Sequence, residues 1–199
     1  MNKAIKSTPK VIPFYGNSKK YKRWYYSQFA DTRFIFKNEL VPESLMETLH
    51  NIEKKLGVEI DLSKIEGKNF FCAEQFMMVG KVLLFGPTMI DEYFKTCKHN
   101  SACKRFGRKV PNYNEKVWTN INLAWVTVGN YLKFSQNETL KDHLVKTGDA
   151  LLVEASPRDS IWGVGMSVDH PDIMNPKKWK GLNKLGKALM KARELISEQ

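Results

Sequence analysis

The stretch CAEQFMMVGKVLLFG, residues 72–86, decides how the rest of the chain must fold. Taken as a helix, it carries Phe76, Val79 and Leu83 along one side and Met77, Met78, Val82 and Phe85 along the other. A helix that is apolar nearly all round belongs inside a protein. Yet Glu74 and Lys81 fall seven residues apart, two turns along one face, with Met77 and Met78 between them. An ionised group in an apolar site is costly unless it is paired or changes its protonation state. Two readings follow. The charges form a buried ion pair or reach outward to water, or they are a tuned pair in which burial lowers the lysine pKa and the carboxylate moves protons.

Working outward, PESLMETLHNIEKKLG (42–57) places Leu45, Leu49, Ile52 and Leu56 at helical spacing, with Pro42 near its start and Gly57 at its end. This predicts an amphipathic surface helix. Further helices are expected in TMIDEYFKTCK (88–98) and in NEKVWTNINLAWVTVGNYLKF (114–134), the latter with Val117, Ile121, Ala124 and Val128 as its apolar stripe. A short helix is read in 137–149, started by Asn137 and stopped by Gly148. The last helix is NKLGKALMKARELI (183–196), with Leu185, Leu189, Ala192 and Ile196 inward and Asn183 as its N-cap. A short strand is expected at RFIF (33–36) and a β-hairpin at ALLVEASPRDSIWGVGMSV (150–168), turning at Pro157–Ser160. The fold class is therefore α+β: a single helix-rich domain with a small β component, over residues 14–199 after a basic N-terminal tail at 1–13.

Lys and Arg number 32 against 21 Asp and Glu, a formal net charge of +11. Such a balance suits nucleic acid or phosphate-bearing ligands. The excess gathers at 19–23, 98–109 and 177–193, and Tyr21, Trp24, Tyr25, Tyr26 and Trp179 interleave two of these clusters, as base stacking requires. The alternative is that each cluster is a solvated face. No run approaches the ~20 apolar residues of a membrane span, and residues 1–16 lack the apolar core of a signal peptide. A location in the cytosol, or in a nucleus, is expected. Cys72, Cys97 and Cys103 show no CxxC spacing and the four histidines no metal-ligand pairing. Neither a disulfide, nor a metal, nor a cofactor is expected. The segment EASPRDSIWGVG adds an acid on each side of a turn, Trp162, and a Gly163-x-Gly165 that either lets a ligand approach closely or bends a strand.

The ordered set FYG (14–16), SQF (27–29), AEQFMMVGKVLLFG (73–86), GRKV (107–110), VW (117–118), KFSQN (133–137), TGDALLVEAS (147–156), Asp159, IWGVG (161–165) and GLNKLGKALMKAR (181–193) resembles the NADAR domain family. Two features depart from the family pattern: Pro87 replaces the usual acid after Phe-Gly, and residues 40–66 are longer than the common short turn. The resemblance implies a mixed, helix-rich fold and hydrolysis of N-glycosidic bonds on ribose-containing compounds. It makes the segment of Glu74 and Lys81 the site motif, with Asp159, Trp162, Gly163, Gly165 and Asn183 as pocket residues. Ser27, Gln28, Phe29, Arg108 and Trp118 fall in further matching segments and join the ligand-binding set.

From these readings the chain is expected to remove ADP-ribose from guanine bases of DNA or RNA. Lys81 would act as a Schiff-base nucleophile, Glu74 as its proton-transfer partner, and Asp159 beside the ribose. A phosphorylated riboflavin-biosynthesis intermediate, a ribose-phosphate small molecule, is the alternative substrate. A non-catalytic module binding ADP-ribose or NAD is the alternative of another class.

Overall fold

Helix α2 (Ala73–Phe85) lies at the centre of the computed structural model, which describes residues 9–16 and 23–198. Its start is set by Cys72, whose extended backbone leaves Sγ to accept the Gln75 N–H at 3.4 Å. It packs against α5 (Glu115–Ser135), which opens with Asn114 Oδ1 accepting the Val117 N–H at 3.1 Å. The two helices meet through exchanged rings. Trp125 stacks on Phe76 with centroids 4.5 Å apart and donates its indole N–H to the Phe76 carbonyl at 2.8 Å. Facing each ring is a glycine: a Cβ on Gly80 would sit 2.4 Å from the Trp125 indole nitrogen, and one on Gly129 2.6 Å from the Phe76 ring. Close packing of the two backbones therefore depends on both glycines. The stripe expected for α5 understates its burial, since Trp125 to Phe134 is buried all round.

Around this pair lie α1 (Glu43–Leu56), α3 (Ile90–Thr96), α4 (Asn100–Gly107), α6 (Glu138–Val145) and α7 (Lys184–Ser197). The inward residues expected of α7, Leu185, Leu189, Ala192 and Ile196, are all buried. The long 40–66 segment is α1 followed by a single 3₁₀ turn, Leu62–Ile65. Helix α4 stands where only a basic cluster was read, because its apolar side is short: Ala102, Cys103 and Phe106. No described helix is long and apolar enough to cross a membrane.

The strands form two pairs. β2 (Phe34–Ile35) runs antiparallel to β3 (Asn69–Phe70), in the expected RFIF segment. β1 (Val11–Phe14) runs parallel to β4 (Leu151–Glu154), with Phe14 opposite Glu154. Val11–Pro13, assigned from sequence to the tail, thus belong to the sheet.

The hairpin is not formed. Its second run makes one bond back to β4, from Val164 N–H to the Glu154 carbonyl at 3.0 Å. The carbonyls of Ser160, Ile161, Trp162 and Gly163 instead accept the N–H groups of Leu182, Lys184, Leu185 and Asn183 at 2.8–3.1 Å. A helix N-terminus has unpaired N–H donors that must find acceptors, and at α7 the 160–163 loop supplies them. Asn183 therefore does not cap with its side chain: at φ 51° it turns its amide onto β4, accepting the Glu154 N–H at 3.1 Å and donating to the Leu152 carbonyl at 2.9 Å. Asn137 departs from expectation in the same way, donating its amide to the Arg33 and Lys133 carbonyls rather than capping α6.

Candidate functional site

The end of β1, the start of α4, the loop after β4, and Ser27 and Phe29 converge on one cavity of about 450 Å³. Its lining includes Ser27, Phe29, Asn100, Lys104, Glu154, Arg158 and Asp159. Residues 27–29 are held there from several sides. The Glu74 N–H donates to the Gln28 carbonyl at 2.8 Å, and Asn100 bridges the Phe29 carbonyl (2.9 Å) and the Cys72 thiol (2.9 Å). From α5, the fully buried Lys133 donates to the Tyr25 carbonyl at 2.5 Å and the Ser27 carbonyl at 2.9 Å. Ser27 Oγ accepts the Phe29 N–H at 3.3 Å, and the Lys104 ammonium sits 3.9 Å above the Phe29 ring. Gln28 is buried with Oε1 unpartnered.

Glu74 is buried, and its Oε2 has no hydrogen-bond partner. Burial pushes its pKa up to about 7, against the pull of Lys104 and Lys81 and with added repulsion from Asp159. Lys81 is half-buried, and burial lowers its pKa; Glu74 opposes this and Arg108 reinforces it. The buried ion pair left open by the sequence is not formed: the ion pairs among the described residues all involve other side chains. Instead the Lys81 ammonium lies 4.9 Å from the Tyr113 ring and 5.3 Å from the Trp118 ring. Met77 and Met78 are buried, and Phe85 packs its ring on that same Tyr113 at 5.3 Å. Arg108 is exposed at the end of α4.

Asp159 lines the cavity and accepts through Oδ1 from the N–H groups of Ile161 (2.9 Å) and Trp162 (2.7 Å). Trp162 is thereby fixed, with its side chain in the main core. Gly163 and Gly165 do not line the cavity described above. A Cβ at Gly163 would lie 2.8 Å from the Asp159 carbonyl oxygen and 2.9 Å from that of Glu154, while Gly165 adopts φ 67°. They serve the fold of the loop. Asn183, with both ends of its amide on β4, holds the backbone of Leu152 and Glu154.

Sequence reasoning reaches Glu154 only as one of the two acids beside the turn and does not single out Lys104 or Tyr113. Glu154 closes an apolar run, Lys104 is one cation in a cluster, and Tyr113 stands in a turn with no periodicity. Of the aromatics expected to stack on bases, Tyr25, Tyr26 and Trp179 make contacts within the fold. Tyr26 is buried and donates to the His143 carbonyl at 2.9 Å, Tyr25 stacks on His143, and the Trp179 indole N–H is held by the Ile173 carbonyl at 2.9 Å. Tyr21, with Lys19, Lys20 and Lys22 of the first cluster, lies outside the described residues.

Two buried acids with raised pKa make stability depend on pH. Burial pushes Glu154 up to about 8, with Asp159 and Glu74 adding repulsion and Lys104 opposing. In the unfolded chain both glutamates ionise near ~4.3, so the folded state binds more protons between that pH and about 8. Their stabilising contribution is complete below ~4.3 and lost as pH rises through the folded pKa values. The part of the thermal midpoint's pH dependence that belongs to Glu154 should thus fall over this interval and vanish in Glu154→Gln. Parallel profiles for the two proteins in calorimetry would contradict the assignment.

The chain was compared with known proteins. The NADAR domain model matches residues 14–197. N-glycosidase R617 of Acanthamoeba polyphaga mimivirus is 43% identical over 129 residues, covering 65% of this chain and 76% of that protein. N-glycosidase YbiA of Escherichia coli (strain K12) is 26% identical over 134 residues, covering 67% of this chain and 75% of that one. The NMR structure of E. coli YbiA superposes with a TM-score of 0.64 at 22% identity, over 96% of this chain and 88% of the other, which shows a shared fold. With the family model spanning nearly all of the described residues, the chain belongs to the NADAR domain family.

Proposed function

We propose that this protein removes ADP-ribose from guanine bases of nucleic acid, through a Schiff base on Lys81. The general class of reaction follows from the family and from the relatives named N-glycosidase: the chain is a hydrolase acting on N-glycosidic bonds. The observation that carries the finer reading is the placement of the basic helix α4. Its exposed Lys104 lines the cavity, Arg105, Arg108 and Lys109 are exposed alongside, and Asp159 and the buried Glu74 interact electrostatically at the same site. A phosphate-rich ligand would be held at that rim while its ribose reaches the carboxylates.

At the anomeric carbon of a ribose joined through nitrogen an unprotonated amine can take the place of the base, after which the ring opens to an imine. Lys81, unpaired and with its pKa lowered by burial, suits this role, and Glu74, titrating near neutrality, suits proton transfer. Asp159 would orient ribose hydroxyls or face the positive charge that develops at the anomeric carbon.

The test is incubation with a guanine-ADP-ribosylated oligonucleotide and, separately, with the early riboflavin-pathway intermediate, following sugar-phosphate release by mass spectrometry. Release from the oligonucleotide is expected. Turnover of the riboflavin intermediate alone would move the assignment to that substrate, and turnover of neither would favour a non-catalytic binding module. Oligonucleotide affinity should also fall at least ~10-fold between roughly 50 and 200 mM salt, since each phosphate contact releases counterions. A flat salt profile would remove the nucleic-acid part of the proposal.

A further inference from the structure

We propose that Glu154 is the general acid of the reaction, the residue that protonates the departing base; this rests on the N-glycosidase reading above. Four observations carry it. Glu154 ends β4 and lines the cavity together with Asp159 and Lys104. Its backbone is held tightly, with its N–H on Asn183 Oδ1 at 3.1 Å and its carbonyl accepting from Ser156 (2.9 Å) and Val164 (3.0 Å). Its carboxyl group is buried, yet Oε2 has no partner within the protein. A buried polar group left without a partner costs stability, and a ligand group in the cavity would supply one.

The electrostatics agree with the geometry. The charged groups that act on Glu154 are Asp159 on its own loop, Glu74 on α2 and Lys104 on α4. Burial, together with two anionic neighbours, outweighs the one cation, and its pKa rises to about 8. Glu154 therefore retains a proton for transfer near neutral pH.

The proton balance is closed. The lone pair of neutral Lys81 forms a bond to the anomeric carbon as the bond from that carbon to the base nitrogen breaks. The electron pair of the broken bond stays on the nitrogen, which takes the Glu154 proton and leaves as a neutral amine. Glu74 accepts a proton from the alkylated Lys81 nitrogen and passes it to the ribose ring oxygen as the ring opens to the protonated imine. Water then adds to the imine carbon, Lys81 departs as a neutral amine, and the surplus proton restores Glu154. One water is consumed and each side chain ends as it began.

Glu154→Gln keeps the size and neutrality of the protonated acid but has no proton to transfer. With the modified oligonucleotide as substrate, kcat should fall by at least ~100-fold, the lower end of the usual general-acid contribution. The alkaline limb of the wild-type kcat profile should disappear, and circular dichroism should show an unchanged fold. Retained kcat, or a reduced kcat with the alkaline limb still in place, would overturn the assignment while leaving wild-type turnover intact. Absence of release by the wild type from either substrate would instead remove the reading beneath it. A substrate-independent measurement closes the case: the Glu154 carboxyl carbon, identified by NMR through its loss in Glu154→Gln, should titrate above neutrality. Titration in the ordinary carboxylate range would leave no proton to donate and would also overturn it.

Discussion

Lys81→Arg should abolish turnover despite keeping the positive charge, with a loss of at least ~1,000-fold, within the range for removing a covalent nucleophile. A guanidinium stays protonated and forms no imine. The structure makes this substitution informative, because Lys81 is not held in an ion pair whose geometry arginine would disturb. Its ammonium lies between the Tyr113 and Trp118 rings at 4.9 and 5.3 Å, and arginine can occupy an aromatic environment of that kind. Borohydride added during turnover should leave a reduced ADP-ribosyl adduct on the peptide carrying Lys81, absent in Lys81→Ala. Substantial activity in Lys81→Arg, or no adduct under rapid turnover, would make Lys81 an electrostatic residue and favour attack by carboxylate-activated water.

Asp159→Asn should lower kcat by ~100-fold, the usual scale for one electrostatic contact at a reacting centre. The bonds from Ile161 and Trp162 both end on Oδ1, and an asparagine oxygen can accept the same two N–H groups. The loop should therefore keep its shape while the negative charge is removed, which separates the electrostatic role from the structural one. Matching thermal midpoints with a large kcat loss would support the assignment. Wild-type turnover in the variant would return Asp159 to the role of a turn residue.

Much of the helical framework was legible because burial leaves a periodic trace. Leu45, Leu49, Ile52 and Leu56 mark α1, and the nearly unbroken apolar circumference of residues 76–85 marks α2 as central. Glu74 and Lys81 were legible for the converse reason: a charge within an apolar run stands out against its neighbours. The motif resemblance then attached an expected chemistry to that anomaly, and the family match agrees with the resemblance.

The hairpin failed as an inference because β-prone residues declare an extended backbone but not its partner. N–H and carbonyl groups are the same in every residue, so nothing local marks the carbonyls of 160–163 as acceptors for the start of α7 rather than for β4. Asn183 was misread for the same reason: its position is that of an N-cap, but the nearby β4 backbone takes its amide.

Long-range convergence accounts for the remaining site residues. Lys104 and Glu154 are 50 positions apart, and each is unremarkable in its own segment; only the packing of α4 beside the end of β4 brings both to the cavity. Periodicity thus sufficed to say which helix is buried and which of its residues do not belong in a core. The protonation states of those residues depend on burial and on neighbours distant in sequence, because desolvation and Coulomb interactions act through space rather than along the chain.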